Sequence, residues 1–135
     1  MLLACFALPA RGQLVPEGIH QNATGPSEMC GISGRDARDL IEKARTSPAL
    51  RATPIKSDRF ELFVSTQGMD QVVVTRPGEP AYPSVTCRHV YQDAEGNWLH
   101  ERQMRCEASR EACDRLFIEF KRLDEQALQE LRGRH

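Results

Sequence analysis

The chain has 135 residues, 40% of them apolar and 27% charged, the size and balance of one globular domain. Its 18 basic and 19 acidic residues leave a net charge of −1, so no overall field draws it to nucleic acid or an anionic membrane. No apolar run approaches the ~20 residues needed to cross a bilayer as a helix, which excludes a transmembrane span of that kind.

In chain order, Met1 to Leu8 is a short apolar run followed by Pro9-Ala10-Arg11-Gly12. Ala10 and Gly12 put small residues where a signal peptidase reads them, and cleavage there would leave Gln13 as the new terminus. The basic flank of a signal peptide is missing, so residues 1–12 read as a truncated signal peptide whose true start lies upstream. Leu2-Leu3-Ala4-Cys5 also partly fits a bacterial lipoprotein box, giving a lipid anchor at Cys5 as the rival. Either route removes Cys5 from the count and leaves Cys30, Cys87, Cys106 and Cys113. Four cysteines in a small exported domain imply two disulfides. The compartment expected is the periplasm or the medium, with an outer-membrane lipoprotein as the alternative.

Residues 13–29, with Pro16, Gly18, Gly25 and Pro26, read as an extended leader. Asn22-Ala23-Thr24 fits a glycosylation sequon that a bacterial protein would leave bare. Residues 30–135 read as a single α+β domain. Ser33 to Asp36 resembles a capping box. Ala37, Leu40, Ile41 and Ala44 then fall on one helical face, and Pro48 ends the helix. A loop follows through Pro54.

Residues 60–65 alternate in polarity and 71–75 are rich in valine, predicting two strands about a turn at Gln67 to Asp70. Pro77-Gly78-Glu79-Pro80 breaks the chain before a strand at 84–92. A two-residue turn at Gly96-Asn97 would then pair Glu95 with Trp98, His89 with Met104 and Cys87 with Cys106. Directly opposed Cα atoms lie ~4.5–5.5 Å apart, within disulfide reach. A three-residue turn, Ala94-Glu95-Gly96, would shift this register and remove the match. The last element is a long helix capped by Ser109, with Cys113, Leu116, Phe117, Phe120, Leu123, Ala127 and Leu131 as its apolar stripe.

The expected fold is therefore α+β: a four-stranded antiparallel sheet with both helices packed mainly on one face, stapled by disulfides. The leading pairing is Cys87–Cys106 with Cys30–Cys113. Cys30–Cys87 with Cys106–Cys113, and Cys30–Cys106 with Cys87–Cys113, stay open. The outline resembles the broad class of helix-on-curved-sheet folds, cystatin-like domains among them, an architectural analogy that carries no function.

The chemistry-bearing residues point away from catalysis. Cys87, His89, His100 and Cys106 are metal-ligand types, but His100 and Cys106 on one strand stand ~20 Å apart, too far for one zinc ion. A nucleophilic thiol needs a base and an orienting group, and an exported cysteine is better used in a bridge. Asp58, Glu61, Asp70, Asp93, Glu95 and Glu101 are ordinary surface carboxylates. No nucleophile-elbow, phosphate-loop or dinucleotide fingerprint occurs. No catalytic residue, metal or cofactor is assigned. Trp98, Arg88 and Arg105 form the candidate interaction surface, because aromatic and arginine side chains anchor interfaces and the expected register sets the two arginines opposite one another. The expected function is a non-enzymatic binding or accessory module of the periplasm or cell envelope, its partner an envelope protein or small ligand. The alternative is a small envelope hydrolase or ligand-binding pocket protein with its site between sheet and helices.

Overall fold

The computed structural model describes residues 25–133. The signal-peptide and lipid-anchor expectations, and the leader up to residue 24, lie outside the described residues. Two short strands, β1 (Glu28–Met29) and β2 (Ile32–Ser33), form a hairpin. Its two central residues, Cys30 (φ 47°) and Gly31 (φ 81°), are both left-handed, as a type I′ turn requires. Met29 is buried with Ile32 in the core, so the fold begins inside the segment expected to be leader.

Helix α1 (Ala37–Thr46) buries Ala37, Leu40, Ile41 and Ala44, the stripe read from the sequence. Its cap is Asp36 in place of Ser33. The Asp36 carboxylate accepts from the Asp39 backbone N–H at 2.9 Å, and Asp39 accepts from the Arg35 N–H at 3.0 Å.

The main sheet has five strands, not four, in the order β3 (Leu50–Ala52), β4 (Phe60–Ser65), β5 (Asp70–Thr75), β6 (Ser84–Gln92) and β7 (Trp98–Cys106), each antiparallel to the next. The unexpected strand is β3. Leu-Arg-Ala carries no strand signal of its own and is held by pairing with Phe63, Val64 and Ser65.

Helix α2 (Arg110–Gly133) closes the chain. Ser109 caps it, its hydroxyl accepting from the Ala112 N–H at 3.1 Å. The two helices lie on opposite faces of the sheet, which corrects the one-faced arrangement. Leu40, Ile41 and Ala44 pack with Phe63, Val72, Val74, Val85 and Cys87. Leu116 and Phe120 pack with Val73, Cys106, Phe60, Leu62 and Met104. The reason is visible in β5, where Val72, Val73, Val74 and Thr75 are all buried. An unbroken β-branched run marks a strand covered on both sides.

The β6–β7 hairpin also departs from expectation. The Asp93 N–H donates to the Asn97 carbonyl and the Gly96 N–H to the Asp93 carbonyl, both at 3.0 Å. The loop is thus Ala94-Glu95-Gly96, with Gly96 left-handed at φ 86°: a type I turn closed by a bulge. The Asp93 carboxylate fixes it by accepting from the Glu95 and Asn97 N–H groups, each at 2.9 Å. Those bonds hold the Asp93 carboxyl below the usual carboxylate range.

This turn slides β7 so that Cys87 faces Gln103 and Cys106 faces Ser84. Every β7 side chain changes face. Cys87 then lies under α1 and Cys106 under α2, and the Cys87–Cys106 bridge is impossible. The disulfides are Cys30–Cys87 and Cys106–Cys113, each with Cα atoms 5.9 Å apart. Each face of the sheet therefore carries one helix and one bridge.

Candidate functional site

The shifted register redistributes the residues expected to form one surface. Arg88 and Trp98 point to the α2 face, while Arg105 points to the α1 face. Arg105 is consumed there as a clasp. Its Nε donates to Glu107 at 2.8 Å, and its other nitrogens donate to the Gly25 and Arg35 carbonyls. Glu107 in turn accepts from the Ala37 N–H at 3.1 Å, placing a carboxylate at the positive end of α1.

Arg88 and Trp98 instead wall one groove of 280 Å³ between the sheet and the end of α2. Val64, Val90, Met69 and Leu131 give it apolar walls, and Gln71 and Asp70 lie at its polar side. Trp98 is half-buried, and Met69, on the β4–β5 turn, is exposed. The Arg132 guanidinium donates to the Trp98 carbonyl at 3.1 Å and so ties the helix end to this wall.

The electrostatics of the groove turn on Asp124. This carboxylate sits on the buried stripe of α2, where the sequence gives Phe120 as its neighbour one turn earlier. It accepts from Arg102 Nε at 2.6 Å and Nη2 at 2.8 Å. Arg102 also donates to the Thr86 hydroxyl at 2.6 Å and lies over the Phe120 ring. Arg88 reaches the same carboxylate only at 3.5 Å, and its buried Nε finds no partner among the described residues. Two cations thus share one anion, and the poorer share falls to the arginine that lines the groove.

The residues of catalytic type do not assemble in that way. His89 and Asp70 pair through Nδ1 at 2.5 Å, and the imidazole stacks on Tyr91. His100 lies on the other face from His89. Among the described residues no group of three or more His, Cys, Asp or Glu side chains could hold a metal. Asp39, Glu61, Asp93 and Glu119 all sit below the usual carboxylate range. A general acid needs the opposite shift.

A larger groove of 510 Å³ lies on the other flank of α2. Its central charges form one clamp. Arg59 donates to both oxygens of Glu79 and of Glu119, at 2.9–3.0 Å, and this clamp raises the Arg59 pKa above its ordinary value. It ties the loop before β6 to α2, and Arg115 at the rim pairs with Glu111 at 3.1 Å.

Sequence reasoning found Arg88 and Trp98 but missed Asp124, Arg102, Met69 and Leu131 as their neighbours. An aspartate one helical turn beyond Phe120 was the available signal, since a carboxylate on a buried stripe demands a cation. No known family matches the chain, and no curated protein or solved structure matches it either.

Proposed function

We propose that this protein is an exported binding or accessory module of the periplasm or cell envelope, and that it acts through the Arg88–Trp98 groove on an acidic, partly apolar ligand or peptide. The observation that carries this reading is the incompletely neutralised Arg88 beside Trp98 in a groove with apolar walls. Such a site offers charge and stacking to an anion that brings its own apolar surface. The two disulfides support an oxidising compartment. Among the described residues no helix is long and apolar enough to cross a membrane.

Trp98 is the sole tryptophan of the chain, so its fluorescence reports on the groove directly. Titration with short peptides of alternating leucine and aspartate should change its emission saturably, and Arg88→Gln should weaken binding about ten-fold or more. A flat titration with every acidic peptide sinks the reading. Export is tested separately, by fractionating the native host and finding the mature terminus at Gln13 or an acylated Cys5.

One observation favours the hydrolase alternative: the His89–Asp70 pair has the form of an oriented acid–base couple. Turnover of a chromogenic ester or amide, abolished by His89→Ala, would replace the binding reading with that one.

A further inference from the structure

Among the described residues β7 is the last strand of its sheet, so one side of its backbone faces away from the ladder. Which side each residue shows follows from the ends of the β6–β7 pairing. The Asp93 N–H bonds the Asn97 carbonyl, and the Glu107 N–H bonds the Pro83 carbonyl. Alternate residues of an antiparallel strand exchange such bonds. Leu99, Glu101, Gln103 and Arg105 therefore turn their backbone inward to β6. Trp98, His100, Arg102 and Met104 turn theirs outward.

The two ends of this outward row are closed. Arg132 donates to the Trp98 carbonyl. Gly25 lies so close to Met104 and Arg105 that a Cβ there would stand 2.7 Å from the Met104 carbonyl oxygen. Among the described residues nothing else caps the row between them, and His100 and Arg102 present both their N–H and C=O groups. Beside them is a small, mostly apolar cleft of 160 Å³, walled by His100, Glu101, Arg102, Phe117, Lys121 and Asp124, the last neutralised by Arg102. Phe117 belongs to the apolar stripe read from the sequence, yet it is 40% exposed. The His100 Nδ1 is shut from solvent with no hydrogen-bond partner among the described residues, which leaves a polar atom at the cleft for an incoming group to satisfy.

We infer that this edge is a strand-addition site: an extended segment of a partner protein pairs with His100–Arg102, seats an apolar side chain against Phe117, and presents a basic side chain to Glu101. The pairing supplies affinity through the backbone, and the cleft supplies selectivity. Charge sorts the partner's two faces. Lys121 at the cleft rim disfavours a cation on the α2 side. Glu101, exposed on the other side of the strand, favours one there. Two of the three registers open to a second copy at this edge carry like charges. Antiparallel pairing of His100 with Arg102 would set Glu101 directly opposite Glu101, and the next register would set Arg102 opposite Arg102. Like charges facing across a ladder repel. The inference is independent of the Arg88–Trp98 groove, which takes acidic ligands.

The test uses the disulfide-intact chain carrying Arg88→Gln, which silences the acidic-ligand groove, and a dye-labelled heptapeptide of alternating leucine and lysine, with a leucine–glutamate peptide as control, in about 0.15 M salt. Saturable binding is expected for the lysine peptide, with new exchange protection at the His100 and Arg102 amides. N-methylation of the peptide at the pairing positions should weaken binding about ten-fold. Phe117→Asp, at an exposed site, should weaken it similarly, and Glu101→Lys should transfer preference to the glutamate peptide. Circular dichroism and thermal melting confirm that both variants fold. Four results overturn the proposal: no binding by either peptide, indifference to N-methylation, protection of those amides before any peptide is added, or a concentration-dependent dimer that occupies the edge.

Discussion

The carboxylate of Asp124, on the buried stripe of α2, accepts two hydrogen bonds from the Arg102 guanidinium of β7, at 2.6 and 2.8 Å. The Arg102 and Asp124 side chains are only 6% and 4% exposed. A pair so dry contributes little against an apolar replacement, but breaking it strands a charge. Asp124→Ala should therefore cost about 3–5 kcal/mol in urea unfolding. Arg102→Met combined with Asp124→Leu should restore most of that loss. If the double variant is no better than the single one, the pair does more than neutralise itself.

The two disulfides should differ in worth. Cys30–Cys87 closes a loop with a sequence separation of 57, and Cys106–Cys113 one of 7. Loop-entropy reasoning assigns about 4 kcal/mol to the first and about 2.5 to the second. Replacing each pair with serines and measuring denaturant midpoints should reproduce that order. Peptide mapping without reduction should recover Cys30 joined to Cys87. A fragment joining Cys87 to Cys106 would contradict the register of β7.

That register depends on Gly96, whose φ of 86° lies where side chains are disfavoured. An added Cβ would meet nothing within 4 Å, so the cost of Gly96→Ala is conformational alone, about 1 kcal/mol. Asp93→Ala removes the carboxylate that accepts the Glu95 and Asn97 amides and should also lower the melting temperature. Thermal melts of the two variants measure both. A neutral Gly96→Ala would mean that the loop has another conformation in solution.

These particulars show how far the chain could be read in advance. The helices were legible because Leu40, Ile41 and Ala44, and Cys113, Leu116 and Phe120, recur at helical spacing and are buried. The strands at 60–65, 70–75 and 84–92 were legible from alternation and β-branching. The register of β7 was not, because Ala94 to Asn97 satisfies two turn types, and a slip by an odd number of residues, here three, turns over the whole strand. That slip carried the cysteine pairing and the Arg88–Arg105 surface with it. The side of the sheet taken by α2 was written in Val72-Val73-Val74, which no one-faced sheet would bury. β3 had no local signal, since three residues with one buried leucine acquire strand structure only from their neighbour.

Acid should loosen both helices from the sheet through ion pairs that join them to it. On α1, Arg45 donates to Glu61 of β4 at 2.7 and 3.1 Å, and these bonds hold the Glu61 carboxyl below its ordinary value of 4.5. On α2, Glu119 accepts from Arg59, with the same effect on its carboxyl. The unfolded chain then binds protons more readily than the native one in this range, so stability rises with pH there. The contribution is complete above the ordinary value of 4.5 and is lost as pH falls through the lowered native values. Both pairs are partly exposed, so each contributes no more than about 1 kcal/mol and weakens in high salt. Melting temperature followed against pH should be flat near neutrality and fall on the acid side. The Glu61→Gln, Glu119→Gln double variant should start slightly lower and fall less steeply. If its acid transition superimposes on that of the parent, these pairs do not govern acid sensitivity.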